Sequence, residues 1–202
     1  MIAKITKTAR LLDLMQKHPI LRVRDVKIAG IHPEHLRRLL QKGIIVRASR
    51  GIYRRTNGNY TQHLSLAEVA KRVPRGVICL LSALLFHGIG TQLPPDLWLA
   101  VDRRSARRSS MNPRLRVVRL SGASFDAGIE NTKIDGVTVR IYCLAKTVVD
   151  CFKFRHKVGL DVALEALRDG WRSRKVTMKD LIHFSQVCRV EKVMRPYLES
   201  LA

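Results

Sequence analysis

The chain has 202 residues, 46% of them hydrophobic, and carries 38 Lys and Arg against 16 Asp and Glu, a formal net charge of +22. That length and apolar content suffice for one or two domains with real cores, while the charge points to polyanionic partners, nucleic acid before an anionic membrane. The longest apolar run, Val77 to Phe86, is roughly half of what a bilayer crossing needs, which excludes a conventional transmembrane helix.

The charge is not evenly spread. Residues 1–60 hold 14 of the 38 Lys and Arg but only the acids Asp13, Asp25 and Glu34, a net of +11. The other +11 is diluted over more than twice that length. Lys4, Lys7 and Arg10 interrupt the first apolar residues, so no signal peptide is expected and the expected location is the cytoplasm. The four cysteines (Cys79, Cys143, Cys151, Cys188) lie far apart without a Cys-x-x-Cys or a paired His spacing. They read as small buried hydrophobes in a reducing compartment, with neither zinc site nor disulfide framework indicated.

In chain order, residues 5–17 place Leu11, Leu12, Leu14 and Met15 on one side of a first helix that His18-Pro19 ends. Leu21 to Ala29 reads as a second, short helix closed by Gly30. The next stretch, HPEHLRRLLQKGIIVRASRGIYRR from His32 to Arg55, is the most informative in the sequence. Leu36, Leu39 and Leu40 recur at the spacing that puts them on one face of a helix over 33–42. Glu34, Arg38 and Gln41 then point the opposite way, with His35, Arg37 and Lys42 on the flanks. Gly43 suits the left-handed exit of that helix. Ile44-Ile45-Val46 and Ile52-Tyr53 are β-prone, and Ser49-Arg50-Gly51 between them supplies turn chemistry. Three helices followed by an Arg-tipped hairpin is the sequence form of a winged helix-turn-helix.

The residue types fit that role. Arg can bond guanine O6 and N7 together, Gln can do the same with adenine N6 and N7, and Glu can accept from cytosine N4. Arg38, Gln41 and Glu34 are therefore the expected base-reading set. Arg47, Ser49, Arg50, Arg54 and Arg55 are the expected wing contacts to phosphates, Arg50 at the tip. About seven such contacts correspond to a log–log salt slope of about −6.

Thr56-Asn57-Gly58-Asn59 is a polar break that sets the expected boundary between a domain at 1–58 and another at 59–202. A helix over Leu64 to Arg72 follows, then an apolar helical segment from Cys79 to His87. From Pro94 the pattern turns to strands: Leu97 to Val101, Leu115 to Leu120, and a hairpin of Gly128–Ile134 with Val137–Tyr142 around Asp135-Gly136. Between the first two lies a basic loop with Arg103, Arg104, Arg107, Arg108 and Arg114, a possible second contact patch or a merely solvated loop. The last third reads as helices over Ala145–Phe154, Leu160–Trp171, a segment opened by the capping box Thr177-x-x-Asp180, and Glu191–Leu201. The expected class is α+β: an N-terminal winged helix-turn-helix, then a mixed α/β domain with a small antiparallel sheet and C-terminal helices.

No Gly-rich phosphate loop, nucleophile elbow or His-x-x-x-His is present, and no cofactor or metal is indicated. Asp102, Glu130, Asp135 and Asp150 fall in the second domain, and Glu130 with Lys133 only loosely suggests a nuclease pair. The expected protein is not an enzyme. A metal-dependent nuclease and a polyanion binder without sequence preference stay open as alternatives.

The segment QKGIIVRASRGIYRR (41–55) resembles the N-terminal winged helix of AbiEi-type antitoxins of type IV toxin–antitoxin systems. LLSALLFHGIG (80–90), DLWLAVDRRSARR (96–108), LAKTVVDCFKFRHKVGLDVALEALRDG (144–170) and VEKVMRPYLESL (190–201) are similar to later parts of the same family. The resemblance implies a promoter-binding autorepressor whose partners are double-stranded DNA at its own operator and a cognate nucleotidyltransferase-like toxin. Carried over by position, DNA binding falls on the 33–42 helix and the 47–55 wing, and toxin neutralisation on the second domain as a whole.

Overall fold

The computed structural model describes residues 6–105 and 114–201 and divides into two compact units, one running to Pro74 and including Thr132–Val139, the other comprising Arg75–Asn131 and Arg140–Ala202. Helix α1 spans Lys7–Lys17, with Thr6 accepting from the Ala9 N–H at its N-cap. Strand β1 (Ile20–Arg22) leads directly into helix α2 (Val23–Ile28), and helix α3 covers Glu34–Gln41. Strands β2 (Ile45–Ser49) and β3 (Ile52–Arg55) form the hairpin, and helix α4 (Leu64–Arg72) follows it. The sheet order is β1-β3-β2, antiparallel throughout, with a register shift between Arg47 and Ser49.

Two expectations for this unit need correction. The second helix does not begin at Leu21: Ile20–Arg22 are a strand paired with Arg54–Ile52, and the helix starts at Val23. β-Branched and aliphatic residues before a helix do not reveal locally that a distant hairpin will offer them a partner strand. Leu40 does not share the buried face of α3. Leu36 and Leu39 are 2% and 1% exposed, whereas Leu40 is 38% exposed. The buried core comprises Leu11, Met15, Leu21, Val26, Ile31, Leu36, Leu39 and Ile45.

Beyond Pro74 the chain continues with β4 (Val77–Ile78), α5 (Leu80–His87), β5 (Leu97–Asp102), β6 (Leu115–Leu120) and α6 (Ala123–Asp126), then β7 (Ile129–Ile134) and β8 (Val137–Tyr142), whose tip, Thr132–Val139, is counted with the first unit. Helices α7 (Leu144–Lys153), α8 (Arg155–Val158), α9 (Leu160–Arg172), α10 (Met178–Val187) and α11 (Glu191–Glu199) close the chain. The class is α+β, as expected. The second sheet has order β6-β5-β4-β8-β7 and is mixed: β4 runs antiparallel to β5, while β5 with β6 and β4 with β8 are parallel. The turn between β7 and β8 is carried by Asp135 and Gly136, both at positive φ (46° and 73°), the conformation that Asp-Gly is suited to. The two-residue β4 and the single-turn helices α6 and α8 were not foreseen, being too short to carry a periodic signal.

Helix α7 is the centre of this unit, buried from Leu144 to Phe152 and packed by α5, α9, α10 and α11. It carries a charged pair in that position. Lys146 Nζ donates to Asp150 Oδ2 at 2.5 Å with both side chains at most 1% exposed, and the ammonium lies 4.2 Å from the Tyr142 ring centre. The Cys188 thiol donates to Asp150 Oδ1, and Tyr142 Oη donates to the Phe125 carbonyl. Burial pushes the Asp150 carboxyl up, with the Lys146 ammonium acting against that shift. Cys79, Cys151 and Cys188 are buried free thiols raised mainly by the same desolvation, while Cys143 is half-buried.

Removing one partner of such a pair leaves the other buried and uncompensated. Lys146→Met is expected to lower unfolding free energy by about 3–5 kcal/mol, whereas Lys146→Met combined with Asp150→Leu recovers much of that loss. Denaturant melts of the two variants check this, and equal losses would show that α7 tolerates a lone carboxyl.

Candidate nucleic-acid interface

The exposed side of α3 is built by subtraction. Leu36 and Leu39 turn inward, so at 100° per residue the line through Glu34, Arg37, Arg38 and Gln41 turns out. Arg37, Arg38, Gln41 and Lys42 are exposed, and Glu34 and His35 half-buried. Gly43, at φ +66°, takes the left-handed exit and turns the chain into β2, as a side chain there would do only with strain. The helix is tethered to α1 by a hydrogen bond of 3.1 Å between Thr8 Oγ1 and His35 Nδ1. His35 thus serves the position of the helix, and its ring has a protein partner.

The wing follows within a few residues. Arg47 and Arg50 are exposed, Ser49, Arg54 and Arg55 half-buried. Gly51 at φ +76° makes the tip turn, and its carbonyl accepts from the Val23 N–H at 3.2 Å, which ties the hairpin to the start of α2. Arg54 differs from its neighbours. Its Nε donates to Glu68 Oε1 at 3.0 Å, and its guanidinium lies 5.2 Å from the centre of the Tyr60 ring. Tyr60 Oη in turn accepts from the Arg55 N–H at 2.9 Å. Burial raises the Glu68 carboxyl, and Arg54 offsets part of that rise. These contacts join β3 to α4 and commit Arg54 to the fold.

The other acids of the unit's helices also have basic partners, Asp25 partly buried, Asp13 and Glu34 more exposed. Asp13 pairs with Lys17 at 3.0 Å, Asp25 with Lys71 at 3.1 Å, and Glu34 more loosely with Arg37 at 3.9 Å. Asp25 also accepts from the Arg22 N–H at 3.0 Å. Burial alone would raise its carboxyl, but the Arg22 N–H and the Lys71 ammonium outweigh that and hold it below the usual carboxylate range. Among the described residues no carboxylate lies within ion-pair range of Arg38, Lys42, Arg47 or Arg50.

The other predicted residues are placed as follows. Arg103, Arg104 and Arg114 are exposed, and Arg107 and Arg108 lie outside the described residues. Asp102 accepts from the Arg104 N–H, Glu130 is exposed, and Asp150 is consumed by Lys146. Among the described residues no group of three or more His, Cys, Asp or Glu is placed to hold a metal ion, and no helix is long and apolar enough to cross a membrane. Sequence reasoning missed Thr8, Tyr60 and Glu68. Only the Glu68 position, four residues from Leu64 on a helix whose other face is apolar, hinted at a partner among the wing arginines.

Residues 9–56 match the family model described as transcriptional regulator, AbiEi antitoxin. The matched span runs from α1 to the residue after β3. No curated protein matches the chain.

Two outcomes test this construction. The folded-state carboxyl of Asp25 titrates below its unfolded value, so its contribution to stability is present above the unfolded value and is lost as pH falls through the folded one. Acid melts of the wild type should therefore be steeper than those of Asp25→Asn, and parallel curves would remove Asp25 as an acid-sensitive anchor. Separately, Arg54→Met should lower the melting temperature of the N-terminal unit yet leave the salt dependence of DNA binding almost unchanged. A slope change as large as that of a tip arginine would return Arg54 to the phosphate-contact set.

Proposed function

We propose that this chain, whose residues 9–56 match the family model of AbiEi antitoxin transcriptional regulators, is a sequence-specific DNA-binding repressor of its own promoter. The observation that carries the proposal is the division of charge in the N-terminal unit. Asp25 and Glu68 are paired with partners of the fold, and Arg38, Gln41, Lys42, Arg47 and Arg50 stay exposed on α3 and the wing.

In this reading α3 lies in the major groove. Arg38 and Gln41 meet base edges, where a bidentate Arg or Gln contact discriminates by about 1–3 kcal/mol against the wrong base. Arg37 and Lys42 flank the groove and neutralise phosphates. Arg47 and Arg50 hold the backbone from the wing, with Arg50 at the turn able to reach a narrow minor groove. Glu34 both pairs with Arg37 and is available to a cytosine amino group. His35 and Arg54 act indirectly, holding α3 against α1 and β3 against α4. The cytoplasm is where such a regulator meets its operator. The second unit is assigned the antitoxin role that the resemblance of its segments implies, with a nucleotidyltransferase-like toxin as the partner.

Fluorescence anisotropy on the DNA upstream of the gene and on a scrambled duplex tests the proposal. A specific regulator prefers its site by about 10³ or more at physiological salt. Gln41→Ala should reduce that preference with little change in non-specific binding. Arg50→Ala should weaken both complexes and flatten the salt slope by about one. Equal binding to both duplexes at every salt concentration would leave a polyanion binder, and identical behaviour of the two variants would displace α3 from the groove.

A further inference from the structure

We infer that Arg22, Arg24 and Arg50 together form a seat for one oxyanion, a phosphodiester of the DNA backbone beside the groove that α3 enters. The inference rests on the reading of α3 and the wing as the DNA-facing surface, and it adds two arginines outside the expected contact set. The tip of the wing is not a free projection. Strand β1 pairs with β3 up to the first residue of β3, with Arg22 opposite Ile52, and the Gly51 carbonyl accepts from the Val23 N–H at 3.2 Å. Arg22 and Arg24 flank one partner of that bond, and Arg50 adjoins the other. Measured through the bond, the Cα atoms of Arg24 and Arg50 are at most about 14 Å apart, a span that two arginine side chains close from its ends.

Arg24 and Arg50 are exposed, and Arg24 lies about 160° around α2 from buried Val26. Arg22 is half-buried, and its Nε is a buried nitrogen without a hydrogen-bond partner, an orphaned donor of a kind that folded proteins rarely keep. The acid closest to these arginines in the chain is Asp25. Its Oδ2 already receives the Arg22 N–H at 3.0 Å and the Lys71 ammonium at 3.1 Å. Among the described residues no carboxylate lies within ion-pair range of Arg22, Arg24 or Arg50. Three like charges on adjoining backbone repel one another, and an anion between them turns that repulsion into attraction. A guanidinium fork matches the two free oxygens of a phosphodiester, and such an oxygen also gives Arg22 Nε its acceptor. The seat reads no base. It fixes the register of α3 along the duplex, as contacts to the backbone do.

The test scans the upstream duplex with single methylphosphonates, each neutralising one phosphate, against the full-length protein. One position should cost the wild type about tenfold in affinity, the worth of a charge-assisted hydrogen bond. Arg24→Ala and Arg50→Ala should each weaken binding to the upstream and scrambled duplexes alike, and each should lose most of the penalty at that same position. The double variant should fall short of the product of the two single losses, because a shared phosphate is lost once. Losses that multiply, or penalties that vanish at two different positions, would split the seat into separate contacts and overturn the inference with the repressor reading intact. Wild-type binding by Arg24→Ala would overturn it as well. If no methylphosphonate matters while inorganic phosphate binds the DNA-free protein through Arg24, the seat serves free phosphate and the assignment to DNA falls. If the wild type does not prefer its upstream duplex, the repressor reading falls, and the double-variant comparison on scrambled DNA still decides the seat.

Discussion

The N-terminal unit depends on where its few carboxylates are used. Asp25 joins the start of α2 to α4 through the Arg22 N–H and Lys71, and Glu68 joins α4 to β3 through Arg54. Both pairs are partly shielded from solvent, where a charge-assisted contact is worth more than the marginal value of an exposed ion pair. The consequence is electrostatic as well as structural. Acids spent on anchoring the scaffold are not available to neutralise the outer side of α3 and the wing, so a protein with a positive excess acquires a positive face. Asp13 and Lys17 form an exposed i,i+4 pair and contribute little to either effect.

The second unit solves a different problem with the same chemistry. Its central helix is buried along nearly its whole length, and a Lys–Asp pair is placed inside that buried face. The pair lies against a tyrosine ring and a thiol, and the carboxylate is satisfied at both of its oxygens. Such a pair adds little net stability compared with apolar packing. It does penalise any arrangement of α7 that separates Lys146 from Asp150 or either from Cys188, which fixes the rotation of the helix among its neighbours.

Much of this was legible in the sequence because the signals were local. The Asp135-Gly136 turn, the Thr177 cap and the α3–hairpin succession each depend on a handful of adjacent residues, and the structure has them in place. What was not legible depended on partners distant in the chain. The strand at Ile20–Arg22 exists because β3, some thirty residues later, offers it an edge. The parallel pairings of the second sheet join strands that are not neighbours in a hairpin, and no local pattern encodes the choice. Within the interface, residue type alone could not separate Arg54 from Arg50. Their side chains are chemically identical, and only the presence of Glu68 and Tyr60 beside Arg54 sets the two apart.

The central claim is that α3 and the wing are the DNA-reading surface. It is tested most directly by amide NMR of the full chain titrated with its upstream duplex at moderate salt. The account predicts that the largest shifts cluster at Glu34–Lys42 and at Arg47–Gly51, with Leu36 and Leu39 following their helix and the amides of α7 unmoved. Shifts confined to the second unit, or spread evenly over all exposed lysines and arginines, would contradict it.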